Sequence, residues 1–307
     1  MFRTLVIEEG ERLTLSHNSV HVEKQGEKIP LPVEDLYCIV LDNQRVMLSA
    51  AVITALTRAG AHVVICDERH MPSSVVYPEA VHYRPFTVVQ RQISMPQGQK
   101  DALWDSIVRA KLLNQAMVLE CAGSAGVSRC LRELAGEVEE GDAGNREGIG
   151  AKMYFRALFG SGFIRTCDSG VNSALNYGYA ILRSSVVKSL YLFGFYPPLG
   201  IHHIGPENPF NLGDDLMEPF RPVIDLWTDL HHEELIDELT SQQRRSLVNL
   251  LNLELTYGKA RMKLRNVISR CVRSFTSAVE KKDPGLFAPL LLTKQIQKEM
   301  EGQCHGL

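Results

Sequence analysis

Two hydrophobic periodicities meet at MPSSVVYPEAVHYRPF, residues 71–86 of the chain. Before this stretch, short runs of Val, Leu and Ile lie between turns rich in Gly, Asn and Asp, which is typical of β-strands. From Gly98 onward, apolar residues recur at helical spacing. Because Pro78 and Pro85 interrupt both patterns, we place a domain boundary near residue 77. The sequence predicts an α+β protein, with a small N-terminal β-rich domain followed by a larger all-α C-terminal domain.

The expected organisation is a β-rich domain at 1–77, a linker at 78–97, a helical domain at 98–298 and a tail at 299–307. The strand-like runs of the first domain are RTLVIEEG, RLTLSHNS, SVHVEKQG, LYCIVLDN and AHVVICDE, and one short helix, SAAVITALTRAG, precedes the last of them. In the helical domain, the spacing predicts helices at about 98–121, 127–138, 146–159, 170–195, 214–230, 241–255 and 259–282.

The composition excludes several classes of protein. With 45% hydrophobic and 22% charged residues over 307 positions, the chain is not fibrous, collagenous or disordered. The net charge of −3 gives no basic signal over the whole chain, so a nucleic-acid surface would have to be a local patch. Seven cysteines without a C-x-x-C pair indicate reduced thiols in a cytoplasm. Charged residues interrupt the N-terminus and the most apolar later stretch, so we expect a cytoplasmic protein without membrane spans.

The first candidate functional segment is GNREGIGAKMYF, residues 144–155. It places Glu147 in the first turn of a predicted helix, behind a Gly-Asn turn that supplies the cap. An acidic residue there also complements the helix dipole, so on this segment alone a structural role explains Glu147 well.

The second segment is FYPPLGIHHIGPENPFNLGDDLMEPFRP, residues 195–222, whose prolines and glycines keep about fifteen residues out of regular structure. Long ordered loops in compact domains are often functional. This loop carries His202 and His203, and the helix after it begins with acidic residues. Of these, Asp215 and Glu218 are three apart and therefore share a helix face.

Two interpretations of these acidic residues remain open. Asp214 and Asp215 are good helix caps, and Glu218 can pair with Arg221. Alternatively, one imidazole with two or three carboxylates forms a ligand set that fits Mn²⁺ or Mg²⁺ better than structural Zn²⁺. Sites of this kind commonly act on phosphodiesters.

Four motifs, in order, carry a resemblance to a known family: REGIGAKMYF, NSALNYGYAILRS, PPLGIHHIG and FNLGDDLMEPFRPVID. With them the chain closely resembles the CRISPR-associated spacer-acquisition integrase, the universal adaptation nuclease. The absence of insertions and the double histidine look most like the type II version, found beside single-effector, dual-RNA-guided systems. The likeness covers nearly the whole chain, because EDLYCIVLDN and VVICDERHMP look like the family's N-terminal domain.

The resemblance implies site residues by position. The family's catalytic metal ligands fall on Glu147, His203 and Glu218, and the implied cofactor is Mg²⁺ or Mn²⁺. Many members carry aspartate where this chain has Glu218, which leaves the coordination mode of its longer side chain open. The residues implied to support the site are Asp215, His202, Asn172 and Asn176, whereas Tyr177 is expected to be mostly core.

The resemblance also implies an activity and partners. A 3′-hydroxyl of a captured DNA duplex would attack a phosphodiester at the edge of a CRISPR repeat, which makes the protein a metal-dependent DNA integrase and endonuclease. Double-stranded DNA is the implied substrate, and residues 1–77 are the implied homodimer contact. A small ferredoxin-like CRISPR-associated adaptation protein would bridge two dimers, and the effector nuclease is a further candidate partner. A stand-alone metal-dependent nuclease and a non-enzymatic DNA-capture scaffold are the alternatives.

A local basic patch is present in KARMKLRNVISRCVRSFTSAVEKK, residues 259–282, which holds eight Lys or Arg and one acid. Such a segment is either a solvated helix face or a phosphate-binding surface, and its one-sided charge favours the second. These cations would position DNA without recognising bases. The predicted DNA-binding residues are Arg146, Arg244, Arg245, Lys259, Lys263, Arg270 and Arg273.

Overall fold

The computed structural model describes residues 3–9, 12–24, 26–78 and 82–304. Within these ranges, the N-terminal part forms two four-stranded sheets and one helix, α1 (Ala50–Arg58). Its strands are β1 (Arg3–Ile7), β2 (Arg12–Ser16), β3 (Ser19–Lys24), β4 (Glu27–Pro32), β5 (Leu36–Leu41), β6 (Met47–Leu48), β7 (His62–Cys66) and β8 (Pro72–Val76). The first sheet has the order β1-β5-β7-β8 and the second the order β4-β3-β2-β6.

Each run predicted as a strand contains one, but β4, β6 and β8 were not predicted. Of these, β6 has two residues only, and β4 and β8 end or begin with proline, since β4 carries Pro30 and Pro32 and β8 starts at Pro72. Proline cannot donate to a strand ladder and is confined to sheet edges and strand ends. Each of these strands lies at the edge of its sheet. Edge strands tolerate proline, so they lack the unbroken Val, Leu and Ile runs from which the other strands were predicted.

The central strand β5 is buried along its whole length. Ile39 and Leu41 point into a small core shared with α1. Cys38 and Val40, on the opposite face, belong to the large core of the helical part. Because side chains alternate across a strand, this sheet separates two cores. One face packs on α1, and the other face packs on the helices of the C-terminal part.

The C-terminal part is mostly helical. In the described residues its helices are α2 (Pro85–Ile93), α3 (Gln97–Cys121), α4 (Ala125–Gly136), α5 (Arg146–Phe159), α6 (Gly170–Leu192), α7 (Asn211–Met217), α8 (Arg221–Leu230), α9 (Ser241–Asn249), α10 (Leu264–Lys281) and α11 (Gln295–Cys304). Helix α2 lies inside the segment expected to be a linker. None of the helices in the described part of the chain has both the length and the apolar character that crossing a bilayer requires.

The α+β class is confirmed, but the C-terminal part is not entirely helical. The helix predicted at 259–282 begins only at Leu264, and the residues before it form a hairpin of β9 (Glu254–Tyr257) and β10 (Ala260–Lys263). Gly258 at its turn has φ of 61°, a conformation that favours glycine. Lys259 and Lys263 therefore lie on the hairpin, not on a continuous basic helix.

Helix α5 packs tightly against α3 through Gly150. A Cβ atom on Gly150 would lie 2.2 Å from Cδ2 of Leu112, a fully buried side chain that has no solvent to move into. The absence of a side chain at Gly150 therefore sets the distance between the two helices. This contact fixes the position of Glu147, which lies one helical turn before Gly150.

We expect Gly150→Ala to lower the free energy of unfolding by about 1–3 kcal/mol, because the added methyl overpacks the contact with Leu112. Urea denaturation measures this. The matched control is Gly126→Ala in α4, where a Cβ would meet nothing within 4 Å. The control is expected to gain up to about 1 kcal/mol from helix propensity. Equal effects of the two substitutions would contradict the packing role of Gly150.

Candidate functional site

Glu147 lies at a helix start that other residues already cap. The Asp142 carboxylate accepts hydrogen bonds from the backbone N–H groups of Arg146 and Glu147, at 2.8 and 3.0 Å. The side chain of Asn145, at the predicted cap, accepts from the N–H of Gly148 at 3.2 Å. Because these donors are satisfied, the Glu147 carboxylate is not needed as a cap and contacts a group on another helix instead.

That group is Lys111 of α3, whose ammonium forms ion pairs with both Glu147 and Glu218. Glu218 lies in the 3₁₀ turn Glu218–Phe220 between α7 and α8, and its Oε1 accepts a hydrogen bond from Arg221 Nε at 2.7 Å. The predicted pairing of Glu218 with Arg221 is therefore present, but it uses only one of the two carboxylate oxygens. A cavity of about 170 Å³ borders all four of these side chains.

The charges around Glu218 keep it ionised. Burial works to raise the pKa of this carboxyl, but Arg221 and Lys111 outweigh burial and lower it to about 2. The carboxylate is thus an anion at any physiological pH. Its Oε2 is buried and pairs with the Lys111 ammonium.

Asp215 shapes the loop that carries the two histidines. Its buried carboxylate accepts hydrogen bonds from the backbone N–H groups of Ile201, His202 and His203, at 2.7, 3.2 and 3.0 Å. Gly200 permits this turn, because a Cβ there would lie 2.1 Å from the carbonyl oxygen of His203. The loop conformation therefore depends on one acidic side chain and one missing side chain.

Asp215 also orients the imidazole of His203. Nδ1 of His203 lies 2.7 Å from Asp215 Oδ1, and because an ionised carboxylate can only accept, the ring donates through Nδ1–H. This hydrogen bond raises the pKa of His203. It leaves Nε2 as the ring atom available for other partners, an arrangement that metal-binding histidines commonly use. The other histidine, His202, stacks on Trp104 at a ring distance of 4.0 Å.

The structure brings two of the three predicted ligands into contact with one cation, the Lys111 ammonium. His203 and Glu218 are close enough to act on each other electrostatically, since Glu218 helps to raise the pKa of His203 and His203 helps to lower that of Glu218. In this conformation, no group of three His, Cys, Asp or Glu among the described residues is arranged around one point. The donor types nevertheless fit a divalent cation, because the two carboxylates already pair with a positive charge and His203, oriented by Asp215, acts electrostatically on one of them, Glu218.

Asn172 and Asn176 support this region through Arg165. The Arg165 guanidinium donates to Asn172 Oδ1 at 3.2 Å and to Asn176 Oδ1 at 2.8 Å. Asn172 Nδ2 also donates to the carbonyl oxygens of Ile164 and Cys167, which fixes the segment before α6. Arg165 borders the cavity, so the two asparagines are connected to the cavity through this one side chain. Tyr177 is fully buried, as a core residue would be.

The predicted DNA surface is only partly available. Arg244 is buried, pairs with Asp42 at 2.7 Å and donates to the carbonyl oxygen of Leu239, so in this structure its guanidinium is bound to protein groups. Its neighbour Arg245 is exposed but pairs with Glu8.

Other cations of the patch remain on the surface. Arg270 and Arg273 are exposed on one face of α10, whereas Arg265 of the same helix is buried. Lys259 is exposed and Lys263 half-buried at the hairpin, and Arg146 pairs with Glu137 at 3.4 Å. The usable basic surface is therefore centred on Arg270 and Arg273.

Sequence reasoning missed Lys111, although a signal was present. Leu103, Ile107 and Lys111 recur at a spacing of four, so the lysine occupies the buried stripe of α3. A lysine on an apolar stripe is rarely buried unless it is paired. That position alone predicts acidic partners from other helices.

Comparisons with known proteins agree with this architecture. The sequence profile of the family described as CRISPR associated protein Cas1 matches residues 4–229. A protein named CRISPR-associated endonuclease Cas1 from Neisseria meningitidis serogroup C (strain 8013) is 37% identical over 285 residues, which covers 92% of this chain and 93% of the relative.

Two solved structures share the fold. One, described as a casposase bound to integration product, superposes with a TM-score of 0.75 at 16% identity and covers 99% of this chain and 100% of its own. The other, a Cas6-RT-Cas1–Cas2 complex, has a TM-score of 0.73 at 17% identity and covers 96% of this chain and 36% of its own. At such low identity the likeness shows a common fold alone.

Proposed function

This chain belongs to the Cas1 family of CRISPR-associated proteins, and from that premise we propose that it is a metal-dependent DNA integrase and endonuclease of CRISPR adaptation. The observation that carries the proposal is the convergence of Glu147 and Glu218, from segments 71 residues apart, on one buried cation, together with the hydrogen bond to Asp215 that orients His203. A buried carboxylate such as that of Glu218 is costly and needs a positive partner. A divalent ion on a phosphodiester substrate is the partner that the proposed chemistry needs.

The proposed reaction is a transesterification. A 3′-hydroxyl of the captured DNA attacks a phosphorus of the repeat strand, a new P–O bond forms, and the 3′-oxygen of the flanking DNA leaves with a proton. Bound Mg²⁺ or Mn²⁺ would neutralise charge that develops on the phosphate. Glu147, His203 and Glu218 would hold the ion, and in the neutral imidazole Asp215 holds the ring proton on Nδ1, so that the lone pair of Nε2 is available for this role. Arg165, at the cavity, supplies a further positive charge for the phosphate.

The proposed partners follow from the same assignment. The name of the neighbouring casposase structure describes an integration product, which supports DNA strand transfer as the reaction. The name of the second neighbour joins Cas1 to Cas2, which supports a small adaptation protein as partner. A single site cannot join both ends of a spacer, so we propose that a homodimer forms through the β-rich part. The effector nuclease stays a candidate partner.

The experiment that tests the function is strand transfer into a plasmid that bears a CRISPR repeat, with Mn²⁺ and a short DNA duplex. Joined products support the integrase. Cleavage without joining would indicate a stand-alone nuclease, and duplex binding without either product would indicate a capture scaffold.

We expect the double substitution Arg270→Gln and Arg273→Gln to weaken duplex binding about tenfold and to reduce the salt slope of binding by about 2, because two phosphate contacts are lost. Fluorescence anisotropy over a salt series measures both quantities. The charge-matched control is Arg58→Gln with Arg129→Gln, two exposed arginines elsewhere on the chain. Unchanged affinity and slope in the α10 variant would exclude this helix from the DNA surface.

A further inference from the structure

We propose that Lys111 competes with the divalent cation: its ammonium binds Glu147 and Glu218, and the ion must displace it to reach these carboxylates. This inference rests on the proposed function of the same site. It assigns a role to a residue outside the predicted ligand set.

The geometry of the contact is the first argument. The Lys111 side chain is 8% exposed, and its single ammonium contacts Glu147 and Glu218, two acids from different segments. The ammonium takes the position, between two carboxylates, that a metal ion takes in carboxylate sites.

The charge balance is the second argument. Three acids and three cations border the cavity, so their charges balance: Glu147, Glu218 and Asp225 against Lys111, Arg165 and Arg221. A divalent ion added without any movement would leave two excess positive charges in a largely buried site, where like-charge repulsion is strong. Arg221 is held by a hydrogen bond to Glu218 Oε1, so the flexible lysine is the cation that can leave.

The cavity provides a place for the displaced ammonium, which is the third argument. Gln115 lies one turn after Lys111 on α3 and borders the same cavity. Its Oε1 is buried and has no hydrogen-bond partner among the described residues. Buried acceptors without a partner are rare and costly. Asp225 also borders the cavity. An ammonium that left Glu147 and Glu218 would therefore find the Gln115 amide oxygen and the Asp225 carboxyl at the same cavity.

The test is Mn²⁺ titration by calorimetry with wild type, Lys111→Met and Lys152→Met. We expect Lys111→Met to bind Mn²⁺ with a dissociation constant at least about tenfold lower than wild type, because no ammonium has to be displaced. Lys152→Met removes the same charge from an exposed position on α5 and is expected to match wild type. Equal or weaker binding by Lys111→Met would overturn the proposal.

Two further variants keep the test decisive. Lys111→Gln retains a polar side chain and is expected to bind Mn²⁺ more tightly than wild type even if the methionine variant does not fold. Gln115→Leu keeps Lys111 but removes the acceptor for the displaced ammonium, so we expect Mn²⁺ binding several-fold weaker than wild type. Wild-type affinity in both variants would overturn the competition.

Glu147→Gln separates the inference from the function on which it rests. If wild type binds Mn²⁺ and Glu147→Gln does not, the metal site stands, and the lysine variants decide the role of Lys111 alone. If Mn²⁺ binding does not depend on Glu147, the proposed metal site and the competitor both fail.

Discussion

Glu147→Gln and His203→Ala are each expected to reduce Mn²⁺-dependent strand transfer by at least about a hundredfold, because each removes one of three proposed ligands to the cation that neutralises the phosphate. The measurement is the rate of joined product formation on a repeat-bearing plasmid. A neutral amide binds a divalent ion more weakly than a carboxylate, and alanine offers no donor at all.

Matched controls are available for both substitutions. Glu139→Gln changes an exposed acid in the segment before α5, and His232→Ala changes an exposed histidine outside the site. Both controls are expected to keep wild-type rates. Equal rates in wild type and His203→Ala would remove His203 from the metal site, and equal rates in Glu147→Gln would remove the metal mechanism itself.

Asp215→Asn is expected to lower the free energy of unfolding by about 2–4 kcal/mol and strand transfer by at least about a hundredfold. Three backbone N–H groups and the His203 ring donate to the Asp215 carboxylate. An amide offers one acceptor oxygen and turns an NH₂ group toward donors, so buried N–H groups lose their partner and the ring loses its orientation. Urea denaturation and the plasmid assay measure the two effects.

The control for this prediction is the adjacent acid. Asp214 accepts a hydrogen bond from Asn208 at 2.8 Å and lies 3.9 Å from Arg183, whereas Asp215 holds the backbone at His202 and His203. We expect Asp214→Asn to cost less than about 1 kcal/mol and to leave strand transfer close to wild type. Similar losses from both substitutions would show that Asp215 has no special role in shaping the loop.

The sequence predicted those parts of the fold whose local signals agree with the final packing. Helix α5 was predicted at its observed limits, because Asn145 caps one end and Gly160 follows the other. The hairpin at Glu254–Lys263 was not predicted, because its alternating cations also match helical spacing at short range. Such ambiguity is resolved only by tertiary contacts, which a short segment does not show.

Candidate site residues that lie in sequence motifs could be predicted, but contacts between helices that are distant along the chain could not. Glu147, His203 and Glu218 came from their motifs, whereas the contacts of Lys111 depend on how α3, α5 and the turn at Glu218 pack together. Arg244 and Arg245 show the same limit on a smaller scale. Adjacent residues on a helix point about 100° apart, so one arginine is buried against Asp42 while its neighbour faces solvent.

The central claim is that Glu147, His203 and Glu218 share one divalent cation. A crystal structure of the protein with Mn²⁺, with the ion located by its anomalous scattering, tests this claim most directly. The account predicts one strong peak within coordination distance of both carboxylates and His203 Nε2, with the Lys111 ammonium moved away. A peak that excludes Glu147 or Glu218, or an unmoved Lys111 between two metal-free carboxylates at saturating Mn²⁺, would contradict it.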